Sequence, residues 1–172
     1  MESARKDEQE STTRSESPTL TPFALEDVAD GKYRTDLQRI LLRFQEKYVV
    51  ENKDGSKTFV GVSNDEAQNS FIARIIDMLD DQVVGETSFG YFGPGTRPSI
   101  MSTYTANEHL KQGFGRRRAV IANEICKKRT GMNLHSSMAR RPAADAFWQR
   151  LVEQNLAQVT IDTTGKKIYS ML

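Results

Sequence analysis

The chain has 172 residues, of which 37% are hydrophobic and 27% are charged, and its formal net charge is +1. This length suits one domain with a core of its own and leaves little room for a second. No run of about 18 apolar residues, no signal peptide and only one cysteine, Cys126, occur in the sequence, so we expect no membrane span, no intrachain disulfide and a cytoplasmic location.

The first residues of the chain differ in composition from the rest. The stretch "MESARKDEQESTTRSESP" holds almost no side chain that a core could bury. Such a segment cannot offset the entropy that ordering it would cost. We therefore expect residues 1–20 to be a disordered or partner-bound polar arm, and residues 21–172 to form a single domain.

Positive charge is concentrated in one part of the sequence. Residues 111–150 contain ten basic and two acidic side chains, although the chain as a whole is nearly neutral. This stretch is either a solvated helix face or a surface for an anionic ligand or partner.

The first predicted helix lies in "TDLQRILLRFQEKY". Its apolar residues recur at helical spacing and form one stripe, at Leu37, Ile40, Leu41, Phe44 and Tyr48. Two β-rich runs follow on either side of "NKDGS", and Asp54-Gly55 within it is a strong signal for a hairpin turn.

A second helix is predicted in "SNDEAQNSFIARIIDMLDD". Ser63 and Glu66 have the spacing of a capping box. The apolar residues that follow would form a broad buried face; they are Phe71, Ile72, Ile75, Ile76 and Leu79.

The remaining predicted elements alternate between strands and helices. Two strands over 82–92 and 99–105 precede a helix that ends at Gly131, where a C-terminal glycine cap belongs. "MNLHSS" is a short strand, "RPAADAFWQRLVEQN" is a helix, and two strands joined through Gly165 end the chain. The fold class is therefore mixed α/β, one sheet with helices on its faces.

The stretch "LKQGFGRRR" lies between a predicted strand and a predicted helix. Gly113 and Gly115 let the backbone approach a ligand closely, and the first N–H groups of a helix have no partner within the helix. This order is typical of phosphate binding. A third glycine and a ribose-binding acid are missing for a dinucleotide site, and a Gly-Lys-Ser/Thr end is missing for a P-loop.

The surrounding sequence resembles the coenzyme A site of the GNAT superfamily of N-acyltransferases. Members carry Gln/Arg-x-x-Gly-x-Gly/Ala between the fourth strand and third helix, then a strand and roughly Asn-x-x-Ala-x-x-Phe-Tyr on a helix. The segment from "VVGETSFGYF" to "RRPAADAFWQRL" follows that layout, over about residues 82–160. The resemblance implies a central, mostly antiparallel sheet with helices on both faces.

The resemblance also implies a cofactor, acetyl-CoA or another acyl-CoA, and an amine substrate. Backbone N–H groups in the loop would hold the pyrophosphate; these residues are Lys111, Gln112, Gly113, Phe114, Gly115 and Arg116. The strand with Ser102, Thr103 and Thr105 would pair with the pantetheine arm, and a bulge in it would polarise the acyl carbonyl. Arg116, Arg117 or Arg118 would add charge for the phosphates.

The acid–base residues are predicted from position. Glu86, on a strand beside the presumed cleft, is the first candidate for the base, ahead of Glu108 and His109, and Tyr104 is the candidate proton donor. Two histidines and one cysteine do not make a zinc set, so no metal is expected.

Several positions depart from the family pattern, including Arg117 and Arg118, which stand where the family usually has small or apolar residues. Leu110 replaces a polar donor, Arg141 replaces the helix asparagine, and Trp148 replaces the tyrosine that often protonates the thiolate. Two alternatives therefore stay open. One is a non-catalytic GNAT-fold scaffold or assembly protein, virion-associated if it comes from a phage, with the arm bound to a protein partner. The other is a nucleic-acid binding or modifying protein that uses the basic stretch over 111–150.

Overall fold

The computed structural model of the chain describes residues 18–24 and 34–172. Its elements, in chain order, are β1 (Thr21–Pro22), α1 (Arg34–Leu41), β2 (Glu46–Glu51), β3 (Lys57–Asp65), β4 (Ser70–Leu79), β5 (Gln82–Tyr91), β6 (Ser99–Thr105), a short 3₁₀ helix (Asn107–His109), α2 (Phe114–Thr130), α3 (Pro142–Glu153), β7 (Ala157–Ile161) and β8 (Lys167–Met171). Of the predicted arm over 1–20, only residues 18–20 fall within the described ranges. None of the helices in these ranges is long and apolar enough to cross a membrane.

Six strands form the main sheet. They lie in sequence order from β1 to β6, and every neighbouring pair is antiparallel. Short turns connect most of them, such as the predicted hairpin turn, in which Gly55 donates its N–H to Asn52. The mainly antiparallel sheet predicted from the sequence is confirmed.

A second, two-stranded sheet is formed by β7 and β8. His135 connects the two sheets, through a parallel bridge to Ser99 of β6 and an antiparallel bridge to Ser170 of β8. The segment "MNLHSS" therefore does not form the predicted strand, and its β-pairing consists of the bridges made by His135.

Helices cover both faces of the main sheet. In the larger core, buried residues of α2 and α3, such as Ile121 and Trp148, pack with sheet residues such as Val60 and Ile75. The smaller core lies on the opposite face, where Leu37 and Leu41 of α1 pack with sheet residues Phe59, Ile76 and Met78. The predicted mixed α/β class with helices on both faces is confirmed.

The second predicted helix is wrong, because its apolar run forms strand β4. A strand buried on both faces reads as a nearly continuous apolar run, and such a run also matches helical spacing. The supposed cap does not form, since the Ser63 hydroxyl donates to the carbonyl of Arg43. A turn at Asn69, which has a φ of 48°, leads into the strand instead.

Two other boundaries differ from the prediction. Helix α1 ends at Leu41, and Tyr48, which was predicted on its apolar stripe, lies in β2 and donates to Glu46. By contrast, α2 ends as predicted, since Gly131 has a φ of 72° and donates its N–H to the carbonyl of Lys127.

Candidate functional site

Strand β6 is the outer strand of the main sheet, and most of it has no neighbour on its outer side. Among the described residues, the only bridge on that side joins Ser99 to His135. Residues 101–104, which follow this bridge, are exposed. An unpaired strand edge offers N–H and C=O groups to an extended ligand.

A β-bulge interrupts β6 along this open edge. Ser102 pairs with Ser88, whereas Ile100 pairs with Phe89, so Met101 is an extra residue without an opposite partner. A bulged residue is left out of the ladder, and its backbone groups are therefore available to a ligand. Half of the Met101 side chain is exposed. The bulge required by the resemblance is thus present, next to the predicted residues Ser102 and Thr103.

The loop after β6 leads directly into α2. Gly113 is the N-terminal cap of the helix with a φ of 87°, and no side chain donates or accepts at that cap. Lys111 also has a positive φ, of 62°, and Phe114 anchors the loop by packing its buried ring against His109, with 5.9 Å between the ring centroids. The first N–H groups of α2, predicted to bind pyrophosphate, thus begin at an exposed glycine.

The three consecutive arginines have three different surroundings. Arg116 is exposed. Arg117 donates to Asp54 at 2.7 Å and to Ser56 at 2.6 Å, both in the turn between β2 and β3. Arg118 is fully buried. Of the three arginines considered for phosphate binding, Arg116 is the one that is exposed and forms no ion pair with another described residue.

Arg118 forms a buried hydrogen-bond network under β6. Its guanidinium donates to Asp77 at 2.5 Å and to Thr87 at 2.9 Å, and Asp77 is also fully buried. The same guanidinium donates to the Tyr104 carbonyl at 2.8 Å and to the Thr105 hydroxyl at 2.6 Å. Burial raises the pKa of Asp77, and the charge of Arg118 opposes that rise. Arg118 therefore links the end of β6, through hydrogen bonds, to the buried residues Asp77 and Thr87 of the sheet.

Glycine at position 85 makes room for this network. A Cβ atom there would lie 2.5 Å from Nη1 of Arg118 and 2.6 Å from the Tyr104 carbonyl oxygen. The sequence predicts no contact with Arg118 for either Asp77 or Gly85. A lone acid inside the apolar run "IIDML" is the signal that could have indicated a buried cation.

Asp54 provides a test of the ion pair with Arg117. Its partial burial acts to raise the pKa, but hydrogen bonds from Ser56 and the charge of Arg117 lower it to about 2. An unfolded Asp titrates near 3.9. The ionised group therefore stabilises the fold above about pH 4, and this contribution is lost as the pH falls toward 2.

We expect Asp54→Asn to lower the free energy of unfolding modestly at pH 7, because the Asp54 side chain is about half exposed. The difference from the wild type should shrink toward zero near pH 2. Urea unfolding of both proteins at several pH values measures it. An equal difference at all pH values would mean that the carboxylate charge contributes nothing.

The predicted acid–base residues lie on the face of the sheet opposite α2. Glu86 and Tyr104 are directly opposite each other in the ladder between β5 and β6. Glu86 accepts a hydrogen bond from Arg74 at 2.7 Å, and both side chains are about two-thirds buried. Tyr104 is 58% exposed. The structure thus brings the two candidates together, with an arginine beside the carboxylate.

Much of the basic stretch over 111–150 is engaged within the fold. Four of its ten cations form ion pairs, Arg117 with Asp54, Arg118 with Asp77, Arg129 with Glu46, and Arg140 with Asp145. The other six are exposed; they are Lys111, Arg116, Lys127, Lys128, Arg141 and Arg150. The positive surface is therefore smaller than the sequence indicates.

Two other predicted features are internal. Trp148 is buried, and its indole stacks on Tyr169 at 5.9 Å between ring centroids. Burial raises the pKa of Cys126 to about 12, so its thiol is protonated and unreactive at neutral pH. A cleft between Arg140 and Lys166 is lined by none of the predicted site residues.

No protein-family model matches the chain. No curated protein matches it either.

Several solved structures do match. Nourseothricin acetyltransferase shares 16% identity with a TM-score of 0.46, over 90% of this chain and 98% of that one. PaiA N-acetyltransferase from Thermoplasma acidophilum, in complex with coenzyme A, shares 15% identity with a TM-score of 0.43, over 58% of this chain and 60% of that one. An acetyltransferase of the GNAT family from Staphylococcus aureus Mu50 shares 8% identity with a TM-score of 0.44, over 61% of this chain and 69% of that one. Each of these three structures is an acetyltransferase.

Proposed function

We propose that the chain is an acyl-coenzyme A-dependent N-acyltransferase, which transfers an acetyl or other acyl group to an amine. The observation that carries this proposal is the open, bulged edge of β6 that leads into the uncapped start of α2. These two features lie in the order that an extended pantetheine arm followed by a pyrophosphate would need. The sequence resemblance to GNAT acyltransferases supports the same reading.

Each part of the coenzyme has a chemically suitable counterpart. The amides of pantetheine would pair with the free backbone edge along Ser102, Thr103 and Thr105. The pyrophosphate would accept N–H groups from the loop and the first turn of α2, where the helix dipole favours negative charge. Exposed Lys111 and Arg116 would add two positive charges beside it.

The acyl carbonyl would lie at the bulge. A backbone N–H released from the ladder near Met101 would donate to the carbonyl oxygen, on which negative charge develops as the amine attacks. The acceptor amine would approach over the face that carries Glu86 and Tyr104, which the sequence suggests as base and acid. The identity of the amine does not follow from the fold.

A coenzyme titration tests this proposal. Isothermal titration with acetyl-CoA is expected to show saturable binding to the wild type, and no binding at millimolar ligand would refute the proposal. Gly113→Val should abolish binding, because a β-branched residue is strained at a φ of 87° and the loop must change shape.

Gly131→Val is the matched control. Gly131 has a φ of 72° at the other end of the same helix, and a Cβ there would also meet no atom within 4 Å. The two variants should therefore be similarly destabilised, yet only Gly113→Val should lose acetyl-CoA binding. Equal loss in both would assign the effect to strain in α2 rather than to the loop.

One observation favours the non-catalytic alternative. Trp148 occupies the position of the family's proton-donating tyrosine, and it is buried in the core. In that alternative the fold would serve assembly, and the same titration would show no coenzyme binding.

A further inference from the structure

His135 occupies the point where the two sheets separate. It pairs with Ser99 of β6 on one side and with Ser170 of β8 on the other. Its neighbours Leu134 and Ser136 are buried, whereas His135 is only partly buried. Because side chains alternate along an extended backbone, the imidazole lies on the face opposite Leu134 and the α2 core. Tyr104 and Glu86 lie on that same face.

The hydrogen bonds of His135 define its tautomer. Nδ1 lies 2.7 Å from the backbone carbonyl of Asn133, and a carbonyl oxygen can only accept. Nδ1 therefore carries the hydrogen, and Nε2 of the neutral ring keeps its lone pair. Within residues 18–24 and 34–172, the hydrogen bond at Nδ1 is the one side-chain hydrogen bond of His135.

The surroundings favour the neutral ring. Burial lowers the pKa of His135, and the charge of Arg97, before β6, lowers it further, although the carbonyls of Asn133 and Pro98 oppose this. The bridge partners Ser99 and Ser170 are uncharged. A neutral imidazole with a free Nε2 is the form that can accept a proton.

We propose that His135 accepts the proton of the amine during acyl transfer, an inference that rests on the proposed function. The amine nitrogen attacks the thioester carbonyl carbon, and a C–N bond forms while the C–S bond breaks. The proton of the nitrogen passes to Nε2 of His135, directly or through one water. The coenzyme leaves as a thiolate, and the imidazolium returns the proton to its sulfur.

Existing contacts, rather than distances along the strands, favour His135 over Glu86 for this step. The bridge at Ser99 is two residues from the bulged Met101, which corresponds to about 7 Å of strand. Glu86 lies two residues from Ser88, the partner of Ser102 beside the bulge, which also corresponds to about 7 Å. The Glu86 carboxylate, however, is already paired with Arg74. Glu86 is therefore better placed to attract a cationic acceptor than to deprotonate it.

The first experiment observes the imidazole directly. The chain has only two histidines, so a long-range ¹H–¹⁵N spectrum of the wild type shows two rings, and a His109→Asn variant assigns them. We expect His135 to be the neutral Nδ1–H tautomer at pH 7, and its Nε2 signal to shift when acetyl-CoA binds. Acetyl-CoA that binds without moving this signal would overturn the inference alone.

The second experiment measures acetyl transfer to a panel of simple amines by release of the coenzyme thiol. His135→Gln should bind acetyl-CoA with wild-type affinity but lose about 100-fold or more in kcat. In the wild type, kcat should rise with pH below pH 6.5 as the His135 ring deprotonates. The His135→Gln variant should not show this rise. The matched variant Glu86→Gln should keep this rise and change mainly the KM for cationic amines.

The outcomes separate the two proposals. A wild type that binds no acetyl-CoA, or that binds it and acetylates no amine of the panel, refutes the proposed function. A folded His135→Gln variant with the wild-type rate and pH dependence overturns the role of His135 alone. If the His135→Gln variant does not fold, the spectrum of the wild type still tests the inference through the tautomer of His135 and the shift of its Nε2 signal.

Discussion

Replacing Arg118 by methionine is expected to lower the free energy of unfolding by about 3–5 kcal/mol, because it leaves Asp77 as an unpaired buried charge. Both side chains are fully buried, and the guanidinium also satisfies the Thr87 and Thr105 hydroxyls and the Tyr104 carbonyl. For a domain of this length, such a loss corresponds to a fall in Tm of about 6–20 °C. Urea unfolding followed by circular dichroism measures the change.

The double variant with Asp77→Leu is the control. It removes both charges and should recover a substantial part of the lost stability, since apolar replacements of buried ion pairs are often neutral or better. A single Arg118→Met variant as stable as the wild type would show that the pair is not buried as described. A double variant less stable than both singles would show that the hydroxyl and carbonyl contacts outweigh the charge pair.

Replacing Trp148 by alanine is expected to cost about 3–5 kcal/mol, the range for large aromatic side chains in cores. The indole is 2% exposed and contacts two other rings, Phe147 edge to face and Tyr169 in a stack. Its removal leaves a cavity between α3 and β8. Unfolding must be followed by circular dichroism, because Trp148 is the only tryptophan of the chain.

Trp148→Phe is the matched control, since it keeps the ring but removes volume, and it should cost clearly less than the alanine variant. Equal costs would mean that the neighbouring rings do not hold the indole. If Trp148→Tyr increased acetyl transfer without changing acetyl-CoA affinity, position 148 would reach the thiolate after all, contrary to its burial.

The sequence predicted the helices α2 and α3 and the strands β5 to β8, but it failed where two periodicities overlap. In "SFIARIIDML" the apolar residues fit one helical face, whereas they in fact face both sides of a sheet. Spacing cannot separate these cases. The β-branched residues Ile72, Ile75 and Ile76 and the turn-forming Asn69 were the better indicators.

The candidate site was predictable where it depends on order along the chain. The strand, the glycine loop and the start of α2 follow one another in sequence, and their placement could be read from "LKQGFGRRR". The network of Arg118 and the bridge at His135 depend on contacts between distant segments. The hydrogen bond from Arg118 to Asp77, for example, spans 41 residues. A single sequence does not show such pairings.

The ion pairs of α2 also determine the order in which the chain can become stable. Strands β2 to β6 form successive hairpins, whose contacts are local in sequence and can form early. Their acids Glu46, Asp54 and Asp77, however, find their arginines only in α2, up to 83 residues later. A nascent chain that ends before α2 therefore holds a sheet with an unmatched acid at its centre. We therefore expect the sheet to reach its full stability only after α2 has been synthesised.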